Sequence, residues 1–230
     1  MAVVLLLLVL VVAHPALADG APIIRVTGEA TVSAAPDEGR IDLGVMTEDA
    51  NAERAARLNA TKLEAVLGAL RKGFADSTKI KTLSYSLNPK YRYPSGGGQR
   101  ELDGYTATNV VRVTTGKLDQ VGRIVDAATS AGANSVRSLE FRLRDEEPTR
   151  AAALREATLR ARAKAEAIAQ ALDLKIEKVI SVDESGVSIV PVEPRLKMMG
   201  ARAGGGASTP VEPGSIEVRA SLTLSVEAGP

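Results

Sequence analysis

The hydrophobic positions of this chain alternate between two periods. From residue 24 to residue 32, apolar or small side chains occupy every even position and polar ones every odd position. This pattern is typical of a strand with one buried face. Residues 35 to 38 (Ala-Pro-Asp-Glu) supply turn chemistry, and Ile41, Leu43 and Val45 form the inward set of a second strand. The two strands are therefore predicted to form a hairpin.

Three later segments have helical periodicity, with apolar residues on one stripe only. They run from about Asn51 to Lys72, from Leu118 to Ala131 and from Pro148 to Leu172. Gly73 and Gly132 follow the first two and are expected to end them. The stripe of the third helix is mostly alanine and consists of Leu154, Ala157, Ala161, Ala165, Ile168 and Leu172. Such small side chains predict a close approach to the neighbouring element.

The remaining period-2 segments predict five more strands. They are Ile80 to Tyr93, Leu102 to Thr114, a strand with Leu139, Phe141 and Leu143 inward, Ile176 to Val182, and residues 216 to 226. The order is ββαββαβαββ. Half-buried strands with one-sided helices predict an α+β fold with two layers, in which a largely antiparallel sheet carries helices on one face. Ser185 to Gly214 is rich in Pro and Gly and is predicted to be a long loop.

The N-terminal segment has the pattern of an export signal. An apolar run from Ala2 to Ala13 is followed by Ala16-Leu17-Ala18, a small-x-small cleavage pattern. Cleavage after Ala18 would leave one domain, residues 19–230, with no transmembrane helix. No Lys or Arg precedes the apolar run, so two other interpretations stay open: the start codon is misassigned, or the segment stays uncleaved as a weak anchor.

Residues 19–230, the mature chain, contain neither histidine nor cysteine. His14 is the only histidine of the sequence and lies in the export signal. The mature chain therefore lacks the commonest acid/base group, the commonest transition-metal ligand and the thiol nucleophile. The 29 basic and 28 acidic residues are interspersed, whereas a nucleic-acid-binding protein favours a concentrated basic face. We expect a non-enzymatic module without a cofactor and without nucleic acid.

Three segments together resemble the SIMPL (DUF541) family of exported bacterial proteins. They are residues 24 to 30 leading to Pro36-Asp37, the Ala-rich residues 151 to 172 running into residues 174 to 180, and residues 213 to 218 with the alternating tail after them. In similar proteins the segment matching Ser185 to Gly206 tends to be rich in Met and Ala. Here glycines dominate it.

The resemblance implies a periplasmic or envelope-associated protein without a defined catalytic activity, of the kind described as an outer-membrane immunogenic protein. It also implies a link to oxidative-stress tolerance and assembly into ring-like or channel-like homo-oligomers. It supplies no catalytic residue for any position of this chain.

Acidic and glycine-rich segments have structural interpretations. Asp145, Glu146 and Glu147 precede the third helix, where carboxylates favour the positive helix end. A hydrolase that uses Asp145 and Glu147 is the less favoured alternative. The glycine runs at 96 to 98 and 204 to 206 are not followed by the Lys-Ser/Thr of a phosphate-binding loop and are predicted to be flexible loops.

The candidate interface residues are aromatic side chains with their neighbours and two methionines. They are Tyr85, Tyr91, Arg92, Tyr93, Tyr105, Met198 and Met199. Tyr85, Tyr91 and Tyr93 share strand parity, so they either form a binding surface or cover the end of the core. The methionines suit an adaptable protein contact. We predict that the Tyr-bearing strand end with residues 94 to 100, together with Ser185 to Gly214, carries contacts of a homo-oligomer. A periplasmic adaptor for an envelope protein and a small-ligand binding module are the alternatives.

Overall fold

A computed structural model describes residues 21–93, 99–192 and 209–230. The strands are β1 (Ile23–Ala34), β2 (Glu38–Asp49), β3 (Thr78–Arg92), β4 (Glu101–Thr115), β5 (Ser135–Arg142), β6 (Lys175–Val192) and β7 (Ser215–Gly229). The helices are α1 (Ala52–Phe74), α2 (Val121–Ser130) and α3 (Glu147–Ala171). The predicted order ββαββαβαββ is confirmed, and most boundaries lie within a few residues of those predicted. Gly73 lies inside α1 and does not end it.

The strands form two antiparallel sheets, each with its own helices. A four-stranded sheet has the order β3-β4-β2-β5, and its core also contains residues of α1 and α2. A three-stranded sheet has the order β1-β7-β6, and α3 packs on it. The α+β class and the antiparallel, two-layer arrangement are confirmed. The expectation of one sheet is wrong, because the seven strands pair in two separate sheets. Each sheet has its own cluster of buried side chains.

The predicted hairpin of the first two strands is wrong. Strand β1 pairs along its whole length with β7, whereas β2 lies between β4 and β5. The link at residues 35 to 37 therefore carries the chain from one sheet to the other. Ile24 belongs to the core under α3 and Ile41 to the core under α1 and α2. Alternation predicts which side chains of each strand are buried, but it contains no information about the partner strand.

Helix α3 presents a row of alanines to the three-stranded sheet. The buried residues are Ala153, Ala157, Ala161, Ala165 and Ala169. Ile168 and Leu172, two predicted members of this stripe, are exposed. The close approach is confirmed at Gly28 of β1, where a β-carbon would lie 2.1 Å from the Ala157 carbonyl oxygen. Ile168 and Leu172 do not lie between α3 and the sheet, because the helix is too close to the sheet to accommodate large side chains there.

Helix α1 lies over the two central strands of the four-stranded sheet. The Asn59 amide, 1% exposed, donates hydrogen bonds to the carbonyl oxygens of Val45 (2.8 Å) and Ala107 (3.0 Å). The Thr47 hydroxyl donates to the carbonyl of Ala55 at 2.8 Å. These contacts hold the first half of α1 above β2 and β4. Within the described residues, the edge strand β3 is exposed from Lys81 onward.

The loop predicted from Ser185 begins later than expected. Strand β6 continues to Val192 and pairs with β7 as far as Ser215, so residues 185 to 192 are corrected from loop to strand. Residues 193 to 208 lie outside the described residues. In β5, the predicted inward residue Leu139 is exposed, while Phe141 is half-buried against the core. Strand β5 is an edge strand, which explains this partial coverage.

Candidate interaction surface

The edge strand β3 of the four-stranded sheet carries several exposed apolar side chains on one face. Every residue from Lys81 to Tyr93 is exposed. Tyr85 is 53% exposed, Leu87 38% and Tyr91 41%. We call these three residues the tyrosine face. Exposed aromatic and aliphatic groups in a row are unusual on a monomer and mark contact sites.

The register shows that the tyrosine face points to the helix side of the sheet. Tyr85 lies opposite Asn109 and Leu87 opposite Ala107 of β4. Asn109 and Ala107 share parity with Val111 and Val113, which are buried in the core under α1 and α2. Directly opposed residues point to the same face of a sheet. Tyr85 and Leu87 therefore continue the core face where α1 does not cover it. Tyr91 shares their parity on β3 but lies beyond an irregularity of the pairing, where it opposes Leu102.

Charged side chains lie at the end of β3, on both faces of the sheet. Arg100 stacks over the Tyr91 ring, with 4.5 Å from the guanidinium carbon to the ring centre. The Arg92 guanidinium lies 2.8 Å from the Glu101 carboxylate. Lys90 donates to Glu48 at 2.5 Å, which lowers the pKa of the Glu48 carboxyl and raises the pKa of the Lys90 ammonium. The ion pairs of Lys90 and Arg92 are exposed to solvent, and by strand alternation both side chains lie on the face opposite Tyr91.

The structure brings some of the predicted interface residues together and does not describe others. Tyr85 and Tyr91 lie on one face of β3, Tyr93 follows the strand end, and Tyr105 lies opposite Pro89 on β4. Met198 and Met199 lie outside the described residues, as do residues 94 to 98 and 193 to 208. Sequence analysis missed Leu87, although its odd position gives it the parity of Tyr85 and Tyr91.

The other strand edges differ in how well they are covered. Along β1, the Lys164 ammonium donates to the Thr27 carbonyl at 2.8 Å, and the Arg160 guanidinium donates to the Glu29 carbonyl at 3.2 Å. These side chains of α3 satisfy backbone acceptors that an additional strand would use. Strand β5 has only eight residues. The longest edge strands are β3, with 15 residues, and β6, with 18 residues. Strand β6 exposes Val179 and Val182.

The three acidic residues 145 to 147 lie at the start of α3. The Asp145 carboxylate accepts a hydrogen bond from the backbone N–H of Glu147 at 3.1 Å. The Glu146 carboxylate lies 3.1 Å from the Arg150 guanidinium and 3.4 Å from that of Arg142. Arg150, followed by Arg142, lowers the pKa of the Glu146 carboxyl. A lowered pKa is opposite to what a general acid needs. The predicted role at the helix start fits these contacts.

Two clefts lie on the described part of the molecule. One, of about 940 Å³, lies between β5, the start of α3, the end of β6 and residues 209–216; we call it the β5 cleft. The other, of about 740 Å³, lies between α3 and β6, and we call it the β6 cleft. Thr209 anchors one wall of the β5 cleft, because its backbone N–H and its hydroxyl both donate to the Asp126 carboxylate.

Neither cleft has the groups of a metal site. Within residues 21–93, 99–192 and 209–230, no cluster of three or more His, Cys, Asp or Glu side chains could hold a metal ion. In the same ranges, no helix is both long enough and apolar enough to cross a membrane. The described surface presents aromatic, aliphatic and ion-paired side chains.

Comparison of the sequence with known proteins finds a matching family and several bacterial relatives. The family model described as SIMPL, Protein of unknown function (DUF541), matches residues 24–226. The 26 kDa periplasmic immunogenic protein of Brucella melitensis biotype 1 is 26% identical over 164 residues, which cover 70% of this chain and 66% of that protein. The uncharacterized protein YggE is 28% identical in Edwardsiella ictaluri over 180 residues (78% and 74%) and in Escherichia coli K12 over 187 residues (81% and 74%). This chain thus spans about two thirds of the length of the Brucella relative.

Proposed function

Because the chain belongs to the SIMPL family, we propose that it is a periplasmic, non-enzymatic envelope protein that assembles into a ring-like or channel-like homo-oligomer. The observation that carries the proposal is the tyrosine face, a part of the four-stranded sheet that none of the described helices α1, α2 and α3 covers. Tyrosine suits such a contact because it combines a large apolar ring with a hydrogen-bonding hydroxyl. The relatives named as periplasmic immunogenic proteins support the location.

The proposed ring requires two different contact surfaces on each copy. A contact between identical surfaces ends at a dimer, whereas a head-to-tail contact can close into a ring. Strand β6 is the second long exposed edge strand, and its Val179 and Val182 provide aliphatic partners for tyrosine rings. We therefore assign the second surface to β6.

A cysteine-free chain allows a direct test of the buried surface. We would prepare the mature chain as two single-cysteine variants, Tyr85→Cys and Leu159→Cys. Leu159 lies on α3 and is 55% exposed, close to the 53% of Tyr85. The rate of maleimide labelling is then measured at high and low protein concentration. The Tyr85→Cys thiol should react slowly at high concentration and faster on dilution, while the Leu159→Cys thiol reacts at the same rate at both.

The possible results separate the proposal from its alternatives. Equal labelling rates in an oligomeric protein would contradict the tyrosine face as the contact surface but not the assembly. A monomer at all concentrations that retains a specific envelope partner, lost on replacement of Tyr91, Arg92 and Tyr93, would support the adaptor instead. A turnover abolished by Asp145→Asn with Glu147→Gln in a folded protein would contradict the non-enzymatic assignment.

We also propose that the assembly supports tolerance of oxidants, as the family resemblance implies. A strain of the source organism that lacks the protein is expected to be killed at a lower peroxide concentration. The wild-type chain should restore survival, and a chain with Tyr85→Ser and Tyr91→Ser should not. Equal restoration by both chains would separate the protective role from assembly through the tyrosine face.

A further inference from the structure

The two sheets of the molecule repeat one arrangement of strands and helix. In the four-stranded sheet the antiparallel pair β3–β4 lies beside β2, and in the three-stranded sheet the antiparallel pair β6–β7 lies beside β1. A helix precedes each pair, α1 before β3 and α3 before β6. Helix α1 packs mainly on β2 and β4, and α3 mainly on β1 and β7. Strands β3 and β6 therefore hold equivalent positions, each as an edge strand beside its helix rather than under it.

The outer edges of β3 and β6 keep their backbone groups free of side-chain caps among the described residues. At the edge strand β1, by contrast, Lys164 and Arg160 donate to strand carbonyls. The end of β2 beyond its pairing with β5 is capped by Asn134, whose side chain bonds the backbone N–H and the carbonyl of Met46. Free N–H and C=O groups along an edge are a template for another strand. Strands β3 and β6 are thus the two long edges on which a further strand can pair.

The charges of the two edges are complementary. Strand β3 contains four basic residues and no acidic one, whereas residues 179 to 192 of β6 contain two acidic residues and no basic one. Lys81 lies opposite Arg112 on the face away from the helices, and Arg112 is already ion-paired within its sheet. Asp183 lies opposite Thr223, also on the face away from the helix. The charges favour pairing of β3 with β6 over pairing of two β3 strands, in which like charges would face each other.

We propose that β3 of one copy pairs antiparallel with β6 of a second copy, so that the four-stranded sheet of one continues into the three-stranded sheet of the other. This inference rests on the proposed self-assembly and adds the edges, the direction and the register of the contact. Equivalent edges pair antiparallel when a local twofold axis perpendicular to the sheet relates them, and the helices then lie on the same side of both sheets. Each copy uses β3 at one end and β6 at the other, which is the head-to-tail contact that a ring requires.

The register follows from the charges and from the overlap of the two strands. Lys90 and Arg92 already form ion pairs within the hairpin end of their own sheet. Among the described residues this leaves Lys79 and Lys81 as the basic side chains of β3 that can pair with Asp183. Lys81 opposite Asp183 gives the longer overlap of β3 with β6. Residues 78 to 88 then pair with residues 175 to 187.

The irregularities of the two strands match in this register. Pairing shifts between Thr82 and Ser84 in β3, and between Val179 and Ser181 in β6. The strands therefore stay in step, and Tyr85 lies opposite Val179 on the helix side. Tyr85 is 53% exposed and Val179 58% in the single chain. An aromatic ring beside a β-branched side chain is a favourable cross-strand pair, so the contact covers apolar groups that are otherwise exposed.

The first experiment exchanges the two charges. Sedimentation velocity is run on the mature chain with Lys81→Glu, with Asp183→Lys and with both substitutions; both residues are exposed. Each single variant should need about tenfold higher concentration to assemble, since like charges then face each other. The double variant, and a mixture of the two single variants, should assemble as the wild type does. The control Arg155→Glu reverses a charge on the exposed surface of α3 and should not change assembly.

The second experiment tests the register by disulfide formation in this cysteine-free chain. The variant with Tyr85→Cys and Val179→Cys should give a ladder of covalent oligomers on mild oxidation, because opposed β-carbons of an antiparallel pair lie about 4.5–5.5 Å apart. The matched control has Tyr85→Cys and Leu159→Cys, since Leu159 on α3 is 55% exposed. It should form covalent oligomers at least tenfold more slowly. Equal rates would overturn the register.

A measurement on the unmodified chain covers the case in which a variant does not fold. Amide hydrogen exchange is recorded for the wild-type mature chain at high and low concentration. Amides of residues 78 to 88 and 175 to 187 should exchange more slowly at high concentration, because pairing protects them. Unchanged exchange in both ranges would overturn the edge contact.

The other possible results separate the edge contact from the assembly itself. A covalent dimer formed as rapidly by Tyr85→Cys alone would show that two β3 strands meet, and would overturn the proposal. An oligomer that is unaffected by Lys81→Glu and gives no ladder would overturn the edge contact but not the proposed assembly. A wild-type chain that stays a monomer at every concentration would overturn both.

Discussion

Gly28 of β1 lies against Ala157 of α3 at a distance that excludes any side chain. A β-carbon at residue 28 would stand 2.1 Å from the Ala157 carbonyl oxygen and 2.8 Å from the Ala161 backbone nitrogen. Both are backbone atoms of a helix, so they cannot move aside separately. The contact sets the spacing between α3 and the three-stranded sheet, and the buried alanines of α3 fit that spacing.

Replacing Gly28 by alanine should destabilise the protein by about 3 kcal/mol, the upper part of the usual range for overpacking. The free energy of unfolding in urea measures the effect. Gly68→Ala is the control, because Gly68 lies in α1 and a β-carbon added there would have no atom within 4 Å. This control should be neutral or more stable by up to about 1 kcal/mol, since alanine favours helix. Equal effects at the two glycines would contradict the close approach of α3.

The ion pair of Asp42 with Arg112 should make stability depend on pH. Arg112 donates to both Asp42 carboxylate oxygens, at 2.7 and 2.8 Å, and Asp42 is 8% exposed. Arg112 lowers the pKa of the Asp42 carboxyl below its ordinary value of 3.8. A lowered pKa contributes stability above pH 3.8, and this contribution is lost as pH falls through the pKa of the folded state.

Asp42→Asn should therefore cost about 1–3 kcal/mol of unfolding free energy at neutral pH and clearly less near pH 2. Urea unfolding at the two pH values checks this. Glu53→Gln is the control, because Glu53 pairs with Arg57 on the exposed surface of α1. It should change stability by less than about 1 kcal/mol at either pH. A loss for Asp42→Asn that is the same at both pH values would show that its charge is not the cause.

The local pattern of apolar and polar residues is sufficient to predict the helices and strands of this fold, but not which strands pair with each other. The alternation of β1 and β7 predicts that their even positions are buried, and Val26 and Val218 are buried as expected. The pairing of β1 with β7 joins residues about 200 positions apart in the sequence. The periodicity of apolar residues within a strand does not indicate such a pairing. Asn59 shows a second limit. A polar residue on the buried side of α1 breaks the apolar stripe, and only the fold shows that it bonds two strand carbonyls.

The tyrosine face is predictable only in part, for the same reason. The shared parity of Tyr85 and Tyr91 places them on one face, and the structure shows both exposed. Their exposure does not follow from the sequence, because it depends on where α1 lies over β2 and β4. The Arg142–Glu146–Arg150 cluster escapes sequence analysis because Arg142 ends a strand, whereas Glu146 and Arg150 belong to the following helix start.

The segment around Met198 and Met199 provides a further prediction about assembly. It lies outside the described residues, and we predict from its sequence that it carries subunit contacts. Deletion of Lys197 to Gly206 should leave circular dichroism and cooperative melting unchanged, while the distribution of molar mass shifts toward smaller species. An intact oligomer after the deletion would show that the segment is only a linker. Loss of folding would show that it belongs to the core.

Sedimentation velocity of the mature chain over a hundredfold range of concentration tests the central claim most directly. We predict discrete species larger than a monomer at micromolar concentration, and a shift toward monomer for the variant with both Tyr85→Ser and Tyr91→Ser. Leu159→Ser, which removes a similarly exposed apolar side chain from α3, should sediment as the wild type does. A wild-type chain that sediments as a monomer at every concentration would contradict the claim of self-assembly.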